Sequence, residues 1–115
     1  MKTGKQIKEL SLDRIDQIIT KILMEYSQIP YAHGQLKDKL VIVPKQDYLL
    51  ITLGTEGDKR THDCIVHLEI IDRQIWIQCD GIESGIATDL IEAGIPANQI
   101  VLGFLPPERR KNYSL

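Results

Sequence analysis

The sequence predicts an α+β domain in the element order α-β-β-β-β-α-β. Three observations carry that reading. Apolar residues recur at helical spacing directly after Ser11. Four apolar, β-branched stretches separated by short turns fill residues 40–79. A second helical stripe then precedes a last short strand. Strands joined in succession by short turns form an antiparallel sheet, and helices kept to one face of it make the class α+β. The expected sheet is mainly antiparallel, with four to five strands, in a single domain over residues 1–115.

Residues 1–10 read as a basic, flexible N-terminus. Ser11 is the natural N-cap, because its hydroxyl can accept an amide proton that the first helical turn leaves unbonded. Leu12, Ile15, Ile18, Ile19, Ile22, Leu23 and Tyr26 form one stripe, which predicts an amphipathic helix over 12–27. Asp13 suits the positive end of its dipole, and Pro30 forbids continuation. Leu40–Val43 and Tyr48–Leu53 read as a hairpin around the turn Pro44–Asp47. Residues 62–71 form the clearest strand, with Cys64, Val66, Leu68 and Ile70 on one face and Ile65, His67, Glu69 and Ile71 on the other. Asp72-Arg73 links it to Gln74–Cys79. Ile82, Ile86, Leu90 and Ala93 form the second helical stripe, stopped by Gly94 and Pro96. Ile100–Phe104 is a short fifth strand, and Pro106-Pro107 leads into a basic tail over 106–115.

Composition excludes several classes. The chain is 43% hydrophobic and 26% charged, too apolar for disorder. No run of about 18 apolar residues predicts a membrane helix. The basic start lacks the apolar stretch of a secretory signal. Two cysteines cannot make a disulfide framework, so a cytoplasmic location with reduced thiols is expected. The net charge of −2 argues against coating nucleic acid by bulk charge. That charge is uneven: residues 1–60 carry 10 Lys/Arg against 8 Asp/Glu, and residues 61–115 carry 4 against 8.

The residues that can carry chemistry are few. His62, Cys64 and His67 are good zinc ligands. On an unbroken strand, however, His62 and Cys64 share a face that His67 does not, so they cannot converge. Cys64 and Cys79 read as small core hydrophobes, and nothing marks either thiol as activated for a Cys–His pair. Asp80 can cap the second helix, with Glu83 three residues on in capping-box position. Two carboxylates at a strand–helix junction could also hold Mg²⁺. Gly54-Thr55-Glu56-Gly57 lacks the ending of a phosphate loop, and Glu69-Ile70-Ile71 lacks the lysine of a restriction-type nuclease strand. Arg60, Arg109, Arg110 and Lys111 form a candidate basic patch for phosphate or an acidic partner. Trp76 alternates with Gln74 and Gln78 on a strand whose outer side suits a partner or a covering element. No cofactor, catalytic residue or metal site is assigned on this reading.

The joined pattern His62-Asp63-Cys64-Ile65-Val66-His67, Ile75-Trp76-Ile77-Gln78, Asp80-Gly81-Ile82-Glu83-Ser84-Gly85-Ile86-Ala87 and Val101-Leu102-Gly103-Phe104, closing on Arg109, resembles the XisI family. These are fdxN element excision controlling factors, typical of cyanobacteria. The resemblance covers nearly the whole chain. It departs at Asp63, where Gly is usual; at Ile82, where Thr is usual; at Leu105, where His is usual; and at Thr55, where Trp is usual. The family's apolar Phe-Ala-Val tail is also missing before Leu115. Asp80, Glu83, His67 and Arg109 match.

The resemblance implies an XisI-like fold and an accessory role in excising a DNA element, with no chemistry of its own. The implied partner is an XisH-like protein of the restriction-nuclease type. The candidate functional surface is Arg60, His62, His67, Trp76, Asp80, Glu83 and Arg109. One alternative is a metal-binding or catalytic domain centred on Asp80, Glu83 and His67. Another is weak DNA binding through Arg60 and the 109–111 tail. The sheet is wider than two helices can cover, so a homodimer or hetero-complex is expected, with Ile65, Ile71, Trp76 and Phe104 near the uncovered part.

Overall fold

A computed structural model describes residues 9–30 and 35–110. Most of the expected flexible N-terminus and half of the basic tail, with Lys111, lie outside these residues. Helix α1 spans Leu12–Ser27, and Ser11 Oγ accepts the Arg14 amide at 3.2 Å as the N-cap. It buries Ile15, Ile18, Ile19 and Leu23, the centre of the expected stripe. The strands follow as β1 (Gln35–Val43), β2 (Asp47–Glu56), β3 (Lys59–Ile71) and β4 (Gln74–Asp80). Helix α2 (Ile86–Glu92) then leads to β5 (Ile100–Val101). The five strands lie side by side in chain order, β1 to β4 antiparallel and β5 parallel to β4. A parallel neighbour needs a crossover, and α2 supplies it.

The α+β class and element order are as expected; the boundaries differ in instructive ways. β1 starts at Gln35, because alternating polar residues extend the ladder beyond its apolar end. β5 is only two residues long: Phe104 donates its amide to Ile77 O at 3.2 Å, which turns the chain across β4. α2 begins at Ile86, four residues later than Ile82. Asp80 causes this by accepting the Ile82 amide on Oδ1 and the Ile86 amide on Oδ2, each at 3.0 Å. It therefore anchors the helix start from a distance. Glu83 lies exposed in the intervening turn, outside any capping box. Gly85 supplies the left-handed backbone, φ 89°, that the late start requires.

Both helices cover one face of the sheet. Tyr48, Leu50, Val66, Leu68, Ile75 and Ile77 fill that face and are at most 1% exposed. Three polar side chains tie the layers. Tyr48 Oη donates to Asp16 on α1 and accepts the Lys45 amide at 2.9 Å. Tyr26 Oη on α1 donates to Asp89 on α2. Fully buried Gln99 accepts the Leu10 amide at 2.8 Å and donates to Arg73 O at 3.0 Å. Leu10, expected in the flexible segment, is thereby fastened to the sheet's far end. Among the described residues no helix is long and apolar enough to cross a membrane.

Tyr48→Phe leaves Asp16 and the Lys45 amide without their partner, so urea unfolding is expected to show a loss of about 1–2 kcal/mol. The alkaline limb gives a second check. The hydrogen bond to Asp89, aided by burial, raises the Tyr26 phenol from 10.0 to about 12. Burial and Asp16 push the Tyr48 phenol up as well. Each group holds its proton longer folded than unfolded. The stability it contributes is full below pH 10 and is lost as pH rises toward 12. Tyr26→Phe should flatten the fall in stability over that window; an unchanged slope would contradict the assignment.

Candidate functional site on the open sheet face

The face opposite the helices carries the candidate site. Along β2, Tyr48, Leu50 and Thr52 point to the helices and are buried, so Leu49, Ile51 and Leu53 point outward and are half-buried. Cross-strand partners share a face. On β1 this brings Lys37, Lys39, Val41 and Val43 outward, opposite Leu53, Ile51, Leu49 and Asp47. Val41 is 37% exposed and Val43 43%. On β3 it brings out His62, Cys64, His67 and Glu69, opposite Leu53, Ile51, Leu49 and Asp47.

That arrangement corrects the simple alternation. Leu50 faces Val66 and Ile51 faces Cys64, so Ile65 is an extra residue in the ladder, a β-bulge. The bulge reverses the facing of everything before it in β3. Cys64 therefore leaves the Val66–Leu68–Ile70 face and joins His62 and His67 outside. It is exposed, and Cys79 is half-buried; neither is the core hydrophobe expected. Burial, with Cys79 beside it, still pushes the Cys64 thiol above its ordinary value, which does not favour a nucleophile. Ile65 packs partly against the core, and its carbonyl accepts the Gly81 amide at 2.7 Å. A second bulge sits in β4, where His67 faces Cys79 and Leu68 faces Ile77, leaving Gln78 over.

The strand break needed for ligand convergence thus exists, but different residues converge. His67 Nε2 lies 2.9 Å from Asp47 Oδ1, with the side chains 29% and 33% exposed. Glu69 is opposite Asp47 in the ladder and accepts a hydrogen bond from Gln78 Nε2 at 3.1 Å. Donor atoms of Asp47, His67 and Glu69 all lie within 4.8 Å of one another. The structure does not bring His67 together with Asp80 and Glu83. Asp80 pairs with Val66, a core-facing position, and both of its oxygens are bonded to amides. Asp47 carried no sequence signal, because its meeting with His67 depends on register.

Trp76 lies on the same open face, opposite Glu69. The strand's return covers part of it. The Arg110 guanidinium sits over the indole ring, 5.5 Å from its centroid, and Arg110 Nε donates to Leu105 O at 2.9 Å. A Cβ on Gly103 would come within 3.1 Å of Trp76 Cε3 and 2.7 Å of Gln78 Oε1, so a larger residue there would push on both side chains. Phe104 is 50% exposed beside it, Ile71 half-buried. Arg60 opens β3 at the other end of the sheet. Along that strand it is about 30 Å from Glu69, at about 3.3 Å per residue. Arg60 and Arg110 therefore do not form one basic patch, and Arg109 is exposed in the turn before Arg110.

On the helix side, an open groove of about 560 Å³ runs along α1, with Ile18, Ile22, Tyr26 and Asp89 among its walls. Its Tyr26 and Asp89 bond each other, and its other polar walls are the α1 side chains Arg14, Gln17, Lys21 and Glu25.

The family model described as XisI protein matches residues 10–114. No curated protein matches. Among solved structures, a XisI-like protein from Anabaena variabilis superposes with a TM-score of 0.80 at 26% identity, covering 87% of this chain and 93% of that one. The fdxN element excision controlling factor XisI from Anabaena variabilis superposes with a TM-score of 0.71 at 31% identity, covering 86% and 91%.

Trp76 is the only tryptophan, so its emission reports the open face alone. Arg110→Ala uncovers the ring without touching the core. Emission should move to longer wavelength and acrylamide quenching should increase, with unfolding free energy changed by under about 1 kcal/mol. Unchanged emission would show that Arg110 does not cover the indole in solution.

Proposed function

The chain belongs to the XisI family, and from that premise we propose that it is a non-enzymatic accessory factor in excision of a DNA element, acting in the cytoplasm through a protein partner. The observation that carries this reading is the uncovered sheet face. Val41, Val43, Leu49, Ile51 and Leu53 share it without any helix over them. Four strands about 4.8 Å apart, over roughly eight residues each, span about 500 Å² before side chains are counted. A stable interface takes about 800 Å² per partner, so the face is of the right order. Its occupant, on this reading, is an XisH-like protein of the restriction-nuclease type.

The charges support one second occupant. Lys37 and Lys39 stand at one end of the face, and Asp47 and Glu69 at the other. A two-fold axis across the strands would lay each end of one copy on the opposite end of another. Direct duplex binding is weak on this reading, since basic residues are few and the net charge is −2.

Co-expression tests the proposal. The chain should co-purify with an XisH-like protein. Val41→Glu, at a position already open to water, should weaken capture at least about tenfold while keeping the native circular dichroism. Capture at background level would overturn the partner reading. Sedimentation of the chain alone as a single 13.1 kDa species would remove the second copy as occupant. Nanomolar duplex affinity at about 0.15 M salt would show that direct DNA contact had been misjudged.

A further inference from the structure

We propose that Asp47, His67 and Glu69 form a binding site for a divalent first-row transition ion. The donor set is one imidazole nitrogen and two carboxylates, all within 4.8 Å of one another. An ion about 2.0–2.2 Å from each of two ligands holds them roughly 3–3.6 Å apart. The 2.9 Å between His67 Nε2 and Asp47 Oδ1 is already near that span. The ion would take the place of the single proton that the pair shares. Glu69, two residues after His67 on β3 and opposite Asp47, closes the triangle.

The supporting geometry is that of a built cluster rather than a chance meeting of charges. All three side chains stand on β2 and β3, paired strands of a continuous sheet, so little conformational freedom is lost on binding. Gln78 Nε2 donates to Glu69 Oε1 and orients that carboxylate, leaving its other oxygen for a ligand. The β4 bulge that brings Cys79 opposite His67 is the one that leaves Gln78 unpaired there. All three residues are half-buried, so one side stays open to water or to a partner's ligand. The imidazole argues against Ca²⁺, which takes oxygen ligands, and favours Zn²⁺, while the two carboxylates also admit Mn²⁺. A bound dication would also cancel the two carboxylate charges at this end of the face.

The site does not depend on the partner, so it is tested on the full chain alone. Calorimetric titration with Zn²⁺ and Mn²⁺ should show one ion per chain. His67→Ala and Asp47→Asn should each weaken it at least about tenfold, and Gln78→Ala about tenfold. All three replacements are at half-buried surface positions, and circular dichroism checks their folding. Cys64→Ser with Cys79→Ser should leave affinity unchanged. The Co²⁺ form should show visible bands without the near-ultraviolet absorption of a thiolate ligand. A flat titration with both ions overturns the proposal. So does binding that survives His67→Ala and Asp47→Asn, or that disappears with the cysteines.

Discussion

In the ladder between β2 and β3, Leu50 faces Val66 and Ile51 faces Cys64, and Ile65 has no partner between them. Side chains on a strand alternate with a period of two, so one inserted residue exchanges the faces of all that precedes it. The core-facing half of β3, from Val66 to Ile70, keeps its place against α1 and α2. The preceding half, with His62 and Cys64, is turned to the same outer side as His67. Ile65 itself bends inward against the core while its carbonyl holds Gly81 at the end of β4. The composition of the open face and the junction leading to α2 both follow from this one residue.

The covered face shows how a small domain gains rigidity from few polar groups. Tyr48 and Gln99 bridge elements distant in sequence, Asp80 joins the end of β4 to the start of α2, and each is satisfied by backbone groups or a carboxylate. A buried polar group with all partners present costs little and restricts the packing to one arrangement, whereas a missing partner costs the full desolvation. Their positions coincide with the ends of helices and the joints between layers. The surface pair Lys45–Asp13, at 2.6 Å, adds little by comparison because both side chains are largely in water.

How much of this was legible in the sequence depended on whether the signal was local. α1 was readable to its ends, because its stripe, its Ser11 cap and Pro30 are all local. The strand order was readable because each turn is short. The Asp72-Arg73 link is one such turn, both residues at positive φ, 52° and 65°, as a two-residue hairpin of that hand requires. The bulge was not readable. Cys64, Ile65 and Val66 are all acceptable on either face, so alternation cannot locate an insertion among them. The Asp47–His67 meeting depends on that bulge and on register across two strands. The start of α2 was misplaced because Ile82 lies on the helical stripe without being helical. The Asp80 side chain holds it there through the chain's own amides.

The same contrast separates residues of the family pattern that the packing explains from one that it does not. Asp80 and Gly103 have structural explanations: one spends both oxygens on the start of α2, and the other lets the chain cross close against Gln78 and Trp76. His67 has no such role: it is not part of the core cluster, and among the described residues its side chain bonds to Asp47 alone, at a half-open position. Stabilisation from one such pair is small. Yet the fold spends a bulge on either side of His67, one in β3 and one facing it in β4, and bulges disrupt the ladder that holds a sheet together. The β3 bulge also seats Ile65 against the core and its carbonyl on Gly81, and together the two bulges set which side chains meet Asp47 and Glu69 on the open face. The open face, with its acidic end built around His67, therefore gathers polar side chains that have no part in the core.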